Sequence, residues 1–103
     1  MHTPWGVSHT QTQLEEGVFW VQTPENGGIL IEYPRAGAYL SEKAMKIGKR
    51  WHDFLVFEQE SDMTVVWYEH PEWYMWAEAD LVEKLAEDML RQSHPEYFSA
   101  EIT

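Results

Sequence analysis

Between Asp53 and Glu72 the sequence DFLVFEQESDMTVVWYEHPE carries Asp53, Glu58, Glu60, Asp62, Glu69 and Glu72 with no lysine or arginine among them. Carboxylates this close together could share protons for acid–base work, and YEHPE sets Glu69, His70 and Glu72 side by side as candidate metal ligands, with His52 as a further candidate. Successive residues of a strand point to opposite faces, so if this run is a strand Glu69 and His70 diverge and the cluster is a poor chelate. Among 18 acids in 103 residues some neighbours arise by chance. The chain also has no phosphate-cradling glycine loop, no HExxH, no GxSxG and no cysteine nucleophile. The expectation is a protein that is not an enzyme, with no cofactor and no metal. A small metal- or ligand-binding domain or enzyme using Glu69, His70 or His52 stands as the alternative.

The charge itself is the more informative feature. Lysine and arginine number 7 against 18 acids, a net charge of −11, and residues 52–103 carry thirteen of the acids against Lys84 and Arg91 alone. The remaining bases form a short block, Arg35, Lys43, Lys46, Lys49 and Arg50. Self-repulsion on this scale opposes folding, so an unneutralised excess points to a use for it. Direct nucleic-acid binding is disfavoured, because affinity for phosphates needs clustered cations. The converse reading is an acidic face that meets a cationic protein surface. Candidates are Glu58, Glu60 and Asp62, which share one face if the strand continues through them, then Glu69 and Glu72, and Glu78, Asp80, Glu83, Glu87 and Asp88 on a helix. Carboxylates at i,i+4 stand about 5–6 Å apart and duplex DNA carries one charge per about 1.7 Å of axis, so such a ridge resembles a phosphate backbone only coarsely. Against this stands the ordinary reading of an acidic helix face as a solvated surface.

The elements that must position these groups follow from periodicity and turn residues. Val7–Leu14 and Val18–Thr23 read as a hairpin about Glu16-Gly17, and PENGG turns the chain into a third strand, Ile29–Tyr33. Arg35–Ile47 reads as a helix, weakened by Gly37. Asp53–Gln59 and Met63–His70 read as two strands around a turn, closed by Pro71. Ala77–Gln92 is the clearest element: Leu81, Val82, Leu85, Ala86, Met89 and Leu90 form one broad apolar stripe opposite the acids, and His94-Pro95 stops the helix ahead of a tail in which Tyr97 and Phe98 fold back. Asp80–Lys84, Lys84–Asp88 and Glu87–Arg91 have the spacing of helical ion pairs. The order β-β-β-α-β-β-α predicts one α+β domain, a mostly antiparallel sheet of four to five strands with two helices on one face.

Six tryptophans, five tyrosines and four phenylalanines are more than a disordered acidic tail carries. In VVWYEHPEWYMW the core reading places Trp67, Trp73 and Trp76 inside. The interface reading notes that Trp73, Tyr74, Met75 and Trp76 cannot all point inward, so that Trp73 and Tyr74 are candidates for an aromatic anchor within the acidic rim. An adaptor or homodimer built on that aromatic surface is the further alternative. No basic leader precedes an apolar run and no stretch approaches 18 apolar residues, so a cytoplasmic protein with no membrane contact, monomeric or homodimeric, is expected.

The segments HTPWG, GVFWVQTPENGGILIE and VVWYEHPEW resemble a family of small uncharacterised domains of bacteria and their phages and plasmids, which share a T-P-W-G start, a T-x-x-x-G-G turn and a W-Y-E segment. The similarity covers the first 33 residues and residues 65–73. Where family members often carry histidine before the paired glycines this chain has Asn26, so no role of that histidine transfers. The resemblance implies a context and no activity. In that context, rich in inhibitors of restriction and CRISPR–Cas systems, the expected function is an acidic interaction module that binds a basic nucleic-acid-handling surface of a host defence protein or nucleoprotein complex.

Overall fold

In the computed structural model, which describes residues 2–59 and 61–99, the chain opens with a small hairpin of β1 (His2–Thr3) and β2 (Gly6–Val7). It continues through β3 (Thr10–Glu15), β4 (Val18–Gln22), β5 (Gly27–Glu32), α1 (Tyr33–Tyr39), α2 (Glu42–Ile47), β6 (Lys49–Trp51), β7 (Phe54–Glu58), α3 (Met63–Glu69) and α4 (Ala79–Ser93). Short 3₁₀ turns follow the last two helices at Pro71–Trp73 and Pro95–Phe98. Strands β3–β7 form one antiparallel sheet in the order β3-β4-β5-β7-β6. The fold is α+β, as the sequence predicts.

Strand alternation sorts the core. Val18, Ile29, Ile31, Leu55 and Phe57 face the helices, where they meet Ala36, Ala44, Val65, Val66, Val82, Ala86 and Leu90. Their neighbours Val21, Leu30 and Val56 face the other way and are covered by Trp5, Phe19, Trp51 and Phe54. Trp5 reaches that second face because Gly28 has no side chain: a Cβ there would stand 2.7 Å from the indole and still closer to the Phe57 carbonyl. The T-P-W-G start and the paired-glycine turn, distant in sequence, are thus two halves of one contact.

Three expectations are corrected. Met63–His70 is not a strand: Met63–Glu69 is α3, whose Thr64, Val65, Val66 and Trp67 are all buried. A helix wedged between a sheet and another helix needs apolar residues all round, and such a run has no helical period to distinguish it from a strand. Arg35–Ile47 is two helices, because Leu40 is extended and Ser41 caps α2 by accepting from the Ala44 N–H at 3.1 Å. Lys49–Trp51, which the sequence reading leaves without structure, is edge strand β6, joined to β7 through His52 at φ +52°.

Gly28→Ala is therefore expected to lower the unfolding free energy by about 1–3 kcal/mol, since the backbone carbonyl it meets cannot yield. Gly37→Ala, where an added methyl meets nothing within 4 Å, is expected to be neutral or to stabilise α1. Urea denaturation of both variants checks the contrast.

Candidate partner-binding surface

The acidic helix α4 is positioned by one file of its apolar stripe. Val82, Ala86 and Leu90 recur every four residues and are buried against the core. The adjacent file, Leu81, Leu85 and Met89, repeats with the same spacing one residue earlier and stays open, at 52%, 54% and 49% exposure. A rotation of about 100° per residue separates the two files, enough to bury one and leave the other at the rim. Ahead of the helix, Trp76 is also exposed but leans on Trp20 and Tyr74, with ring centroids 5.4 and 5.2 Å away. The open file lines a groove of about 310 Å³ between α3 and α4, whose other walls include Met63, Trp67 and Tyr74.

The carboxylates do not form one surface. Asp80, Glu83 and Asp88 stand exposed on α4, with Glu78 at its N-cap, and among the described residues no cation closes an ion pair on any of them. Of the three spaced pairs on this helix, Glu87 and Arg91 meet at 3.1 Å; Lys84 is paired with neither Asp80 nor Asp88. Glu58, at the end of β7, faces Lys49 across the strand pair at 3.7 Å. Glu60 lies outside the described residues. Asp62 is buried at the start of α3, so Glu58 and Asp62 share no strand face. Trp73 is 5% exposed and stacked on His70 at 3.9 Å, which places it in the core and removes it from any contact surface. Tyr74 is half-buried between Trp20 and Trp67 and presents part of itself to the groove.

Glu69, His70 and Glu72 turn out to be structural partners. Glu69, at the end of α3, accepts from the Ser41 N–H at 2.9 Å, from the Ser41 hydroxyl and from the Tyr97 phenol. His70 spans the Tyr39 carbonyl through Nε2 and Glu72 through Nδ1, the latter at 2.8 Å. His94 repeats this arrangement after α4, with Nδ1 3.1 Å from Glu96 and Nε2 2.9 Å from Asp62. Both histidines end their helices at nearly the same backbone angles, φ −132° and −138° with ψ 65°, and both lead a proline into a 3₁₀ turn. The twice-occurring tripeptide His-Pro-Glu is the signal for this helix-end clamp, visible in the sequence but missed. Glu96 is held below the usual carboxylate range by its backbone hydrogen bond and then by His94. His52 sits apart, exposed on the β6–β7 turn. Among the described residues no group of three or more histidines and carboxylates is placed to hold a metal ion.

Fold and surface together define a small α+β domain whose open chemistry is a helix bearing free carboxylates beside an uncovered apolar file. The chain belongs to the family described as Domain of unknown function (DUF7007), whose model matches residues 1–103. No curated protein and no solved structure matches it.

The Tyr97 phenol is pushed well above the usual tyrosine value, first by burial and then by its hydrogen bond to Glu69. A raised folded-state value means that the folded protein holds this proton more tightly, so the contribution is complete below the unfolded tyrosine value near 10 and is lost as pH rises above it. Absorbance titration of the protein against its Tyr97→Phe variant should show Tyr97 ionising above the usual tyrosine value and together with alkaline unfolding. Tyr97→Phe should lose part of that alkaline dependence while Ser41 continues to satisfy Glu69.

Proposed function

We propose that this domain is an acidic protein-interaction module and, more finely, an inhibitor encoded by a phage or another mobile element that occupies a basic nucleic-acid-handling surface of a host defence complex. The observation that carries the reading is α4, where Asp80, Glu83 and Asp88 are exposed and unpaired among the described residues, and where Asp88 and the N-cap Glu78 border the half-exposed Leu81, Leu85 and Met89. Charges left open in this way attract a cationic surface over roughly a Debye length, about 8–10 Å at ordinary ionic strength, and speed encounter with it. Once docked, apolar contact excludes water and lowers the effective dielectric around the surrounding ion pairs. Nucleic acid cannot then reach the same lysines and arginines. No chemical step is needed for this activity.

Glu58, Asp62, Glu69 and Glu72 are less suited to meeting a partner, because each already has an internal one. The electrostatic face is therefore assigned to α4. The restriction or CRISPR–Cas setting rests on the resemblance to domains of mobile elements.

Expression of the protein in cells that carry a restriction or CRISPR–Cas system is expected to raise the plating efficiency of a targeted phage. The triple variant Asp80→Lys, Glu83→Lys, Asp88→Lys should lose that effect by about tenfold or more while retaining its thermal transition, as exposed substitutions usually do. Protection of the phage unchanged by the triple reversal would reject α4 as the electrostatic face.

A further inference from the structure

We infer that the groove between α3 and α4 is the seat of a single amphipathic, basic α-helix of the partner protein; this rests on the interaction reading above and names what its apolar part holds. The walls are apolar and come from both helices: Met63 and Trp67 from α3, Tyr74 from the connection, and Leu81, Leu85 and Met89 from α4. Leu81, Leu85 and Met89, which project from a surface helix at 49–54% exposure, are left open in the isolated domain, although burial would be favourable by roughly 25 cal/mol for each Å² covered. From Leu81 to Met89 the file runs about 12 Å along the helix axis, which matches the span of apolar residues at i, i+4 and i+7 or i+8 on a second helix. Two methionines, Met63 and Met89, line the groove, and their flexible side chains adapt to branched or aromatic partners.

Charge selects the occupant. Glu78 precedes Leu81 by three residues and Asp88 follows Leu85 by three, so each shares a helical neighbourhood with the open file; Lys84, three after Leu81, is a cation on the same edge that the two acids outnumber, and Asp80 and Glu83 lie further round the helix. A helix whose apolar stripe is flanked by lysine and arginine finds carboxylates beside the groove. A second copy of this chain would instead bring a second net charge of −11 and the same acidic helix against the first, which like-charge repulsion opposes.

Three fluorescent helical peptides probe the groove: one with leucines at i, i+4 and i+7 on a lysine and arginine background, a scrambled peptide of identical composition, and the patterned peptide with glutamine in place of the bases. The patterned basic peptide should bind at least about tenfold more tightly than either control by anisotropy. In ¹³C-methyl spectra of the full chain, Met63 and Met89 should shift on binding, while Met45 and Met75, which lie outside the groove, should not. Leu81→Ser with Leu85→Ser should lose about tenfold in affinity with an unchanged thermal transition, and Leu85→Ala alone serves if the double variant is unstable. Equal, salt-sensitive binding of the patterned and scrambled basic peptides would overturn the groove and leave the electrostatic reading standing. Equal binding of the glutamine peptide would overturn the basic occupant, and the absence of binding by all three would overturn the groove as a helix seat.

Discussion

The burial of α3 on every side is the constraint on which the rest of the structure depends. Val65 and Val66 are fully enclosed, with Thr64 and Trp67 nearly so, between the sheet below and α4 beside them. A short helix of β-branched and aromatic residues is a poor helix in isolation, so tertiary packing must hold it. Polar clamps at both ends complete the hold. At the start Asp62 bonds to His94 from the far end of α4; at the close Glu69 and His70 bond to Ser41, Tyr39 and Tyr97. Sheet, paired short helices, long helix and tail are all tied to this one element.

That arrangement explains what happens to the acidic excess. Carboxylates close to α3 are used internally, as acceptors at helix ends or as partners of histidine, and their negative charge is part of how the domain coheres. The acids on the outward side of α4 have no such internal role. Glu87 meets Arg91, while Asp80, Glu83 and Asp88 face solvent. Val82, Ala86 and Leu90 are the file of α4 buried in the core, and the half-exposed file beside them is bordered by Asp88 and by Glu78 at the N-cap, with Asp80 and Glu83 further round the helix. An acidic helix with an uncovered leucine file is the combination expected of a protein surface that awaits a cationic, partly apolar partner.

Much of the scaffold is legible in the sequence, for identifiable reasons. Asn26-Gly27-Gly28 marks the β4–β5 turn, Gly17 marks the β3–β4 turn, and the long apolar period of α4 ends at His94-Pro95 as helix signals predict. The α3 segment is not legible, because valine, valine, tryptophan and tyrosine in succession favour a strand locally and only the three-dimensional packing overrules them. A strand at this place brings further errors with it: it aligns Asp62 with Glu58 on one strand face although Asp62 is buried at the start of α3, and it leaves Glu69 without an internal partner although Ser41 and Tyr97 hold it. Which of the two files on α4 is buried is equally out of reach, since both have the same spacing and differ by one residue. The Ser41 cap and the repeated His-Pro-Glu are present as local signals, enough to divide the first helix and to link the two helix ends.

The central claim is that the free carboxylates of α4 engage a cationic, nucleic-acid-handling partner. Affinity capture from host lysate at low and at high salt, with the retained proteins identified by mass spectrometry, tests it most directly. The account predicts a nucleic-acid-binding complex that is retained at low salt, is released as salt rises, and is not captured by the Asp80, Glu83 and Asp88 charge-reversed protein. Capture of a partner indifferent to salt, or of nothing, would contradict it.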